Sequence, residues 1–460
     1  MTTLQHINET FLEQFATSRH EPRWLRQARL KAWQQFRQLP VPDWKRTKIP
    51  KVDLQETLLL KESKGNEGGP LKIEKKVPAN TSGKMVLVDG EVLRISLKPE
   101  LARQGVIFSD MKTAVLERAD LLEQFWIPEN GQDQFQSLQA ALWQNGYFLF
   151  IPQGVVIEEP FQVQIIQRES VSTMSQHMII MDAASEAMVE EVCESEATED
   201  KTITHFGRSV VHAEEGSRLR YYQLQNWNKK AYDSSFRTFF ARKNAHITSL
   251  NSILGAGSGY MVARGEALES GATIEHDGIT IGNDQQQFKI IATMHHRTVQ
   301  TEGMMRYKGI LKDQSYSFLD GLIQVMPQAT KTDSRLEEHT LILGDKARCD
   351  ALPALDIQTS NVNVSHSASV TKADQEKIFY AMSRGLSEEE ARNLIVQGFF
   401  EDLLQMIHHP GWYEKIKQLI EAKLSLPQTG PINPARTIFR SFNRRSMVTP
   451  GSTSITPTPA

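Results

Sequence analysis

Residues 141–370 constrain the fold most, because they contain many short runs of β-branched and apolar residues separated by Gly, Asn, Asp and Ser. Runs such as SRLRYYQLQNW, AHITSLNSILGAG and QQFKIIATMHH are typical of β-strands. Several runs begin after a turn residue, and the steps between these residues are 28, 27, 42 and 32: Gly216, Asn244, Gly271, Asp313 and Asp345. Such steps favour a β-solenoid with stacked coils. A β-sandwich is the alternative, although its turns would recur about every 8 to 12 residues.

A mixed, largely helical region is predicted before this core, over residues 1–140. A helix pattern near residues 23–37 ends at Pro40 and Pro42, and its apolar positions share one face: Leu25, Ala28, Ala32, Trp33 and Phe36. The opposite face is basic, and we interpret it as a solvent-exposed face: Arg23, Arg26, Arg29, Lys31 and Arg37. The segment 60–76 has the composition of an exposed linker.

A second helical region is predicted after the core, over residues 371–426. Ser387 and Glu390 have the spacing of a capping box at the start of one helix. The apolar positions of that helix form a stripe that needs a cover: Ala391, Leu394, Ile395, Phe399 and Leu403. A short helix precedes it, with Gly385 as its C-terminal cap. Residues 427–460 are rich in Pro, Ser, Thr and Arg, and we expect a disordered tail there.

Charge and cysteine content limit the possible partners and cofactors. The formal net charge is only -3, from 52 basic and 55 acidic residues, which does not favour nucleic acid or a membrane surface as a partner. No apolar run has the length of a membrane span, and the N-terminus lacks signal-peptide features, so we expect a cytoplasmic protein. The two cysteines, Cys193 and Cys349, cannot supply the four thiolates of a cluster or a structural zinc site.

Common catalytic motifs are absent from the sequence. It contains no G-x-x-x-x-G-K-[ST] or G-x-G-x-x-G loop, so ATP hydrolysis by this chain is not expected. It also lacks G-x-S-x-G, H-E-x-x-H and C-x-x-C. These absences favour a protein that is not an enzyme.

One segment gathers possible metal ligands: His339, Cys349, Asp350 and His366 lie within about 30 residues. A thiolate, an imidazole and a carboxylate can bind iron or zinc if the fold brings them to one edge, which sequence spacing alone does not establish. For Cys349 taken alone, a small buried apolar residue is the favoured interpretation.

Two further groups of residues carry alternatives. His295 and His296 are adjacent on a predicted strand, so their side chains should point to opposite faces rather than bind one ion. Glu275, His276 and Asp277 form the one compact acid-rich group on a predicted strand. They would suit a polysaccharide-acting solenoid enzyme, although a turn edge accounts for them equally well.

The run from His295 to Leu404 resembles the SufB/SufD family of iron-sulfur cluster assembly proteins, and the N-terminal EPRWLRQARLKAWQQFRQLPVPDWKRTKI resembles SufD members. The matching pieces are TEGMMRYKGIL, DGLIQVMPQATKTDSRLEEHTLILGDKARCDALPALDI, VSHSASV and IFYAMSRGLSEEEARNLIVQGFFEDLL. The resemblance implies a right-handed parallel β-helix between two helical domains. It also implies that SufB and SufD pair through their cores and that each C-terminal domain docks the ATPase SufC. The implied docking residues are Ser383, Arg384, Gly385, Ala391, Leu394, Ile395 and Phe399.

The resemblance also implies a site for cluster assembly. His366 in VSHSASV matches a SufD histidine that faces SufB, which makes it the candidate metal ligand, although Ser367 and Val364 replace a glycine and a frequent cysteine of that motif. In an approximate alignment, SufB has its scaffold cysteine near Glu337, Glu338 and His339, and its absence here favours SufD. The implied assembly interface comprises His366, His339, Glu338 and Cys349.

The sequence therefore predicts a non-catalytic scaffold that pairs with a SufB-like subunit and docks a SufC-like ATPase. ATP-driven motion would open the core interface, where an iron-sulfur cluster would form transiently, and the chain alone would hold no cofactor tightly. A homodimer in the absence of SufB is possible. The alternatives are a polysaccharide-acting solenoid enzyme and a SufB-type primary scaffold.

Overall fold

A computed structural model describes residues 7–42, 72–73, 79–126, 133–169, 172–196 and 202–424. The predicted tail and nearly all of the predicted linker lie outside these residues. The helices are α1 (Glu9–Ser18), α2 (Arg23–Gln38), α3 (Pro99–Arg103), α4 (Met111–Glu117), α5 (Ala119–Phe125), α6 (Gln134–Leu142), α7 (Gln375–Ser383), α8 (Glu388–Leu404) and α9 (Pro410–Leu424). The helices thus fall into an N-terminal and a C-terminal group.

Two sheets lie between the helical groups. The first ten strands are β1 (Lys72–Ile73), β2 (Gly83–Val88), β3 (Glu91–Leu97), β4 (Ile107–Asp110), β5 (Tyr147–Ile151), β6 (Phe161–Gln167), β7 (Ser172–Met181), β8 (Glu186–Ser195), β9 (Thr204–Ala213) and β10 (Arg218–Asn226). The others are β11 (Tyr232–Ala241), β12 (His246–Ile253), β13 (Ser258–Ala267), β14 (Thr273–Gly282), β15 (Gln287–His296), β16 (Glu302–Leu311), β17 (Tyr316–Val325), β18 (Asp333–Ile342), β19 (Arg348–Ile357) and β20 (Asn363–Lys372).

The strands form a parallel β-solenoid of about eight coils, which confirms the fold prediction over the sandwich. One sheet, the even sheet, has the order β1-β3-β2-β6-β8-β10-β12-β14-β16-β18-β20, and the other, the odd sheet, has the order β19-β17-β15-β13-β11-β9-β7-β5-β4. Each coil contributes one strand to each sheet. A coil is 26 residues long where Tyr232 pairs with Ser258 and 32 residues long where Tyr316 pairs with Arg348.

The irregular step of 42 residues in the sequence pattern has a structural cause. Gly216, Asn244 and Gly271 have positive φ angles and precede strands of the even sheet. Asp313 also has a positive φ angle, but it precedes β17 of the odd sheet. The pattern therefore combined turns from two different corners of the solenoid, and the regular coil length reappears when each corner is followed separately.

The two ends of the solenoid are built differently. At the beginning, β2 and β3 form an antiparallel hairpin that joins the even sheet through β6, and the short β4 runs antiparallel to β5 in the odd sheet. At the other end, β19 and β20 each have a strand neighbour on one side only. We call this last coil, β19 with β20, the open end.

Three apolar layers stabilise the fold. The largest lies inside the solenoid between the two sheets and includes Tyr221, Phe239 and Met305. The second lies where the N-terminal helices cover the odd sheet, and the third lies where α7, α8 and α9 cover the outer face of the even sheet. Burial of these layers, at about 25 cal/mol per Å² of apolar surface, is the main stabilising contribution.

The basic face of α2 is not wholly exposed, and the prediction of a solvated face is wrong at Arg29. This side chain is 1% exposed, and its guanidinium donates to Glu21 at 2.7 and 2.8 Å and to the Ala141 carbonyl at 2.9 Å. It also lies over the Trp143 ring at 4.2 Å. An arginine can be buried here because its charge is paired and three of its N–H groups have acceptors.

The described helices include none that is long and apolar enough to cross a membrane.

Candidate functional site

The open end exposes an unusual amount of backbone and apolar surface. Its two edge strands are ten residues long each. Leu352, Ile357 and Val370 are 48%, 39% and 44% exposed on them. Long, flat edges with exposed apolar side chains are sites where another chain can add a strand.

Strand register decides which candidate residues share a face. His366 pairs with Leu336, which is fully buried inside the solenoid, so His366 continues the inward-facing row. Glu338 follows Leu336 by two residues and also faces inward, where it is 1% exposed. His339 faces the opposite way, toward the outer surface of the even sheet. The structure therefore brings His366 and Glu338 to one face and separates His339 from them.

Glu338 is a buried carboxylate without a hydrogen-bond partner. Neither Oε1 nor Oε2 has one within the described part of the chain. Burial, and to a smaller extent the negative charge of Asp320, raises the pKa of Glu338 to about 8. The side chain fits because Gly321 on β17 has no Cβ: a Cβ there would lie 2.3 Å from Oε1 of Glu338. The Glu338 carboxyl group thus occupies space that any side chain at position 321 would fill.

Cys349 lies on the opposite sheet and faces the same interior. It pairs with Ser317, which is buried, and its Sγ donates a hydrogen bond to Oγ1 of Thr340 at 3.3 Å. Thr340 follows Glu338 by two residues on β18, so both point inward. Burial raises the pKa of Cys349 to about 11; the bond to Thr340 opposes this, and the charges of Asp350 and Glu338 add to it. The charge of Glu338 is thus the smallest of these influences on the pKa of the Cys349 thiol, and burial is the largest.

The two histidines differ in environment. His366 is exposed on β20, between the exposed Ser365 and Ser367. His339 is partly buried, and its Nδ1 is 2.7 Å from Oγ of Ser369. Only His366 is free to meet a partner at the inward face of the open end.

No group of three or more His, Cys, Asp or Glu side chains in the described residues is arranged to hold a metal ion. The four candidates do not form a complete metal site within this chain. A metal bound here would need ligands from another molecule or from solvent.

The acid-rich group at 275–277 lies on strand β14, not at a turn edge, and it does not form a catalytic pair. His276 points into the solenoid, where its Nδ1 is 3.1 Å from the Tyr307 hydroxyl. Glu275 and Asp277 point outward, and both accept hydrogen bonds from Arg306, at 3.2 and 2.9 Å. Both carboxylates therefore take part in ion pairs with Arg306 within the fold.

His295 and His296 do point to opposite faces, as predicted. Nδ1 of His295 is 2.7 Å from Glu266, whereas His296 is fully buried and contacts Thr301 at 2.8 Å. The pair does not bind one ion together.

The C-terminal helices have the predicted caps. Ser387 and Glu390 form a capping box at the start of α8, and Gly385 follows α7 with a φ of +93°. The buried stripe of α8 differs in part from the predicted one: Ala391, Val396, Phe400 and Leu403 are buried, so Ala391 and Leu403 are shared with the prediction. The stripe needs a cover, as predicted, and the chain's own even sheet provides it.

The remaining candidates on α8 are only partly covered. Leu394, Ile395 and Phe399 have intermediate exposure. Phe399 packs against Phe400 with ring centroids 5.3 Å apart, and Nζ of Lys308 lies 5.3 Å from the Phe399 ring. Ala391 has no exposed surface and belongs to the apolar layer between the C-terminal helices and the even sheet.

Helix α7 presents apolar side chains to solvent. Phe379 is 73% exposed, Tyr380 is 37% and Met382 is 41%. Arg384 donates a hydrogen bond to the Tyr380 hydroxyl at 3.1 Å, and Ser383 donates to the Tyr380 carbonyl at 2.7 Å. This surface, which we call the α7 patch, combines aromatic, methionine and arginine side chains that are enriched at protein interfaces. The sequence analysis missed Phe379 and Met382, although the run IFYAMS has more apolar residues than one helix face can bury.

One salt bridge and one close histidine–carboxylate contact connect the C-terminal helices to the solenoid. Nζ of Lys308 on β16 lies 2.7 Å from the Asp402 carboxylate on α8. Nδ1 of His409, just before α9, lies 2.5 Å from Oε1 of the buried Glu190 on β8. A movement of these helices would therefore act directly on the even sheet.

Comparison with known proteins gives consistent matches over most of the chain. A family model described as SUF system FeS cluster assembly, SufBD core domain, matches residues 164–399, and one described as SufBD protein N-terminal region matches residues 4–163. The iron-sulfur cluster assembly protein SufD of Bacillus subtilis (strain 168) is 27% identical over 440 residues, covering 91% of this chain and 98% of that protein. The iron-sulfur cluster assembly protein SufB of the same organism is 26% identical over 420 residues, covering 86% and 88%. A SufBD family protein of Staphylococcus saprophyticus is 25% identical over 415 residues, also covering 86% and 88%.

Proposed function

The chain belongs to the SufB/SufD family of iron-sulfur cluster assembly proteins, and from that premise we propose that it is a SufD-like scaffold subunit without catalytic turnover. It acts in the cytoplasm, pairs with a SufB-like subunit and docks a SufC-like ATPase. The observation that carries this proposal is the open end, where both sheets of the solenoid stop at unpaired ten-residue strands.

The SufB-like subunit would bind at the open end. A second solenoid that continued both sheets would satisfy the free backbone groups of β19 and β20 and would cover Leu352, Ile357 and Val370. His366 is exposed on the inward face of the same coil. A cluster assembled at this joint would then meet the His366 imidazole from this chain and thiolates from the partner, which agrees with the small number of cysteines here.

The SufC-like ATPase would bind at the C-terminal helices. The α7 patch, the turn Ser383–Gly385 and the half-exposed side of α8 form a continuous stretch of sequence with exposed apolar groups. The Lys308–Asp402 salt bridge and the His409–Glu190 contact would transmit a movement of these helices to the even sheet. In this way, ATP binding by the partner would strain the joint at the open end and admit iron and sulfur.

The test is co-expression of this chain with SufB-like and SufC-like subunits from the same source, followed by measurement of the mass of the purified assembly. Phe379→Asp should remove the ATPase and leave the SufB-like subunit bound, because it places a charge in the α7 patch. Val370→Asp should have the opposite effect, because it places a charge on the open end. Val156→Asp is the matched control, since Val156 is 62% exposed and lies far from both surfaces in sequence.

Phe399→Asp is a less discriminating variant, because Phe399 also packs against Phe400 and its loss would disturb α8 itself. If all three subunits still copurify with both Phe379→Asp and Val370→Asp, the two surfaces are not the docking sites. If neither the SufB-like nor the SufC-like subunit copurifies with the wild-type chain, the scaffold proposal fails.

A SufB-type primary scaffold is the second candidate, because the SufB relative is nearly as similar as the SufD relative. The two differ in where the cluster resides. A SufD-like chain purified alone, as a monomer or a homodimer, should contain little iron and sulfide, whereas a primary scaffold should accept a cluster after anaerobic reconstitution. Iron and acid-labile sulfide analysis of the chain alone distinguishes them.

A further inference from the structure

The backbone ladder between β14 and β16 is interrupted in the middle of the two strands. Pairing stops after Glu275 with Met304 and resumes at Gly278 with Tyr307, so two residue pairs are missing from the ladder between these two described strands. The other ladders of the even sheet from β6 to β20 run without a break between their first and last paired residues. We call this interrupted contact the β14–β16 seam.

Side chains close the seam on the outer face of the sheet. Asp277 has no exposed surface, and its carboxylate accepts a hydrogen bond from the Arg306 backbone N–H at 2.9 Å. The Arg306 guanidinium donates to the same carboxylate at 3.0 and 2.9 Å and to Glu275 at 3.2 Å. At this position a backbone N–H of β16 therefore bonds to a side chain of β14. The outer side of the seam is closed by charge-assisted side-chain hydrogen bonds.

Side chains also fill the seam from the interior of the solenoid. Nδ1 of His276 lies 3.1 Å from the Tyr307 hydroxyl, and its Nε2 lies 3.1 Å from the Thr293 carbonyl on β15 of the odd sheet. The Asn251 amide donates to the Asp277 carbonyl at 3.4 Å. The polar groups at the gap thus have side-chain partners, so the interruption can persist in a buried sheet without a large loss of stability.

The C-terminal helices are attached to the sheet on both sides of the seam. Nζ of Lys308 on β16 lies 2.7 Å from the Asp402 carboxylate and donates to the Phe399 carbonyl at 2.9 Å, both on α8. On the earlier side, the Tyr222 hydroxyl on β10 donates to the Met406 carbonyl at 3.2 Å, in the segment between α8 and α9. Helix α8 itself packs against β14 and β16. These helices therefore connect the coils before the seam with the coils after it.

We propose that the β14–β16 seam is a hinge within the solenoid and that the C-terminal helices are a strap that holds it closed. A local opening starts where the fewest backbone hydrogen bonds must break, and side-chain bonds separate more readily than a continuous ladder. When the strap loosens, the coils after the seam, including the open end, would move as one unit against the earlier coils. The inference goes beyond the proposed function, because it concerns this chain alone, whichever partner binds the helices.

Hydrogen–deuterium exchange of the full-length chain without partners tests the hinge, with mass-spectrometric fragmentation that resolves short segments. The fastest amides within 276–278 and 305–307 should exchange at least about fivefold faster than those within 221–223 and 249–251, the corresponding positions of β10 and β12. Fivefold is the change expected when opening breaks one net hydrogen bond of about 1 kcal/mol fewer.

A variant of α8 tests the strap. Asp402→Asn removes the salt bridge with Lys308 and should raise exchange at the seam about twofold further, since a partly exposed pair contributes roughly 0.2–1 kcal/mol. Glu401→Gln is the matched control: Glu401 precedes Asp402 on the same helix and accepts a hydrogen bond from Gln405 at 2.9 Å within α8. It should leave the seam unchanged. Circular dichroism of both variants separates loosening of the strap from unfolding of α8.

The hinge is overturned if the seam of the wild type exchanges no faster than the compared positions of β10 and β12. The strap is overturned if Asp402→Asn leaves the seam unchanged or raises exchange equally in every coil. These outcomes do not depend on complex formation. A chain that assembles with its partners but shows no fast exchange at the seam contradicts only the hinge, whereas a chain with the hinge that never assembles contradicts the proposed function.

Discussion

Two buried glutamates inside the same solenoid have opposite surroundings. Glu191 on β8 is 1% exposed in the early coils, and it accepts hydrogen bonds from Tyr147 and Tyr221 at 2.8 Å and from Gln223 at 2.7 Å. Glu338 on β18 is equally buried and has no partner in the part of the chain that the structure describes. The same residue type is thus fully satisfied at one end of the interior and unsatisfied at the other.

The pKa values of the two groups follow from this difference. Burial alone would raise the pKa of Glu191, but nearby His177 and Arg237 and the two tyrosine hydroxyls lower it below its ordinary value. Burial without such partners raises the pKa of Glu338 to about 8. The Glu191 carboxylate is thus held charged by its neighbours, whereas burial favours the protonated form of the Glu338 carboxyl group.

The largest expected effect is the loss of Glu191. Glu191→Ala would leave two tyrosine hydroxyls and the Gln223 amide without their acceptor and the buried Arg237 charge uncompensated, so we expect the free energy of unfolding to fall by about 3–5 kcal/mol. Urea denaturation followed by circular dichroism measures it. Glu186→Ala on the same strand, which breaks only a half-exposed pair with Arg220 at 2.8 Å, should cost about 0–1 kcal/mol. Equal losses in both variants would show that the Glu191 network is not special.

The second effect is on pH dependence. The pKa of Glu338 is raised from 4.5 to about 8, so its contribution to stability is complete below about pH 4.5 and is lost as the pH rises toward 8. We expect the wild type to lose on the order of 4 kcal/mol between about pH 5 and pH 9 that Glu338→Gln does not lose. The contribution of Glu191 to the free energy of unfolding changes with pH in the opposite direction. Because the pKa of Glu191 is lowered, this contribution is present at neutral pH and is lost only in acid. Parallel pH profiles for the wild type and Glu338→Gln would contradict this assignment.

The smallest effect concerns the space that holds Glu338. Gly321→Ala would place a Cβ 2.3 Å from Oε1 of Glu338 and 2.5 Å from Leu336, and we expect a loss of about 1–2 kcal/mol as these side chains move. Thermal unfolding measures it. Gly309→Ala is the control, because its Cβ would come no closer than 3.2 Å, to Thr340. The loss should shrink in the double variant Gly321→Ala, Glu338→Ala, and a fully additive result would exclude contact between the two positions.

The solenoid could be predicted from sequence because its signals are local. Positive-φ turn residues such as Gly216 and Asn244 and the strand runs between them reveal a repeat of almost constant length. The capping box of Ser387 and the glycine stop at Gly385 are equally local. Arg29 escaped prediction because its partners, Glu21 and the Ala141 carbonyl, include one that is 112 residues away in sequence. Distant contacts of this kind leave no trace in spacing.

The candidate site was predictable only as a set of residues near one coil. Alternation along a strand indicates that Glu338 and His339 face opposite ways, but only the register with Leu336 and Ser317 establishes which of them faces inward. The space that the Glu338 carboxyl group occupies depends on Gly321, which lies on a strand of the other sheet. The α7 patch was missed because helix periodicity identifies the face that is buried, not the apolar residues left over on the other side.

The capped beginning of the solenoid also determines how many solenoids can join. There, the even sheet ends in the two-residue β1 and the β2–β3 hairpin, and the odd sheet ends in the four-residue β4. Among the described residues these borders are short: β1 pairs in parallel with β3 over two residues only, and β4 runs antiparallel to β5, so they offer a poor template for a further parallel coil. Two solenoids that met through their open ends would therefore leave no other ten-residue edge strand in the described part of either chain. Growth would then stop at a pair, which would protect a molecule made of stacked coils from polymerising into a fibre.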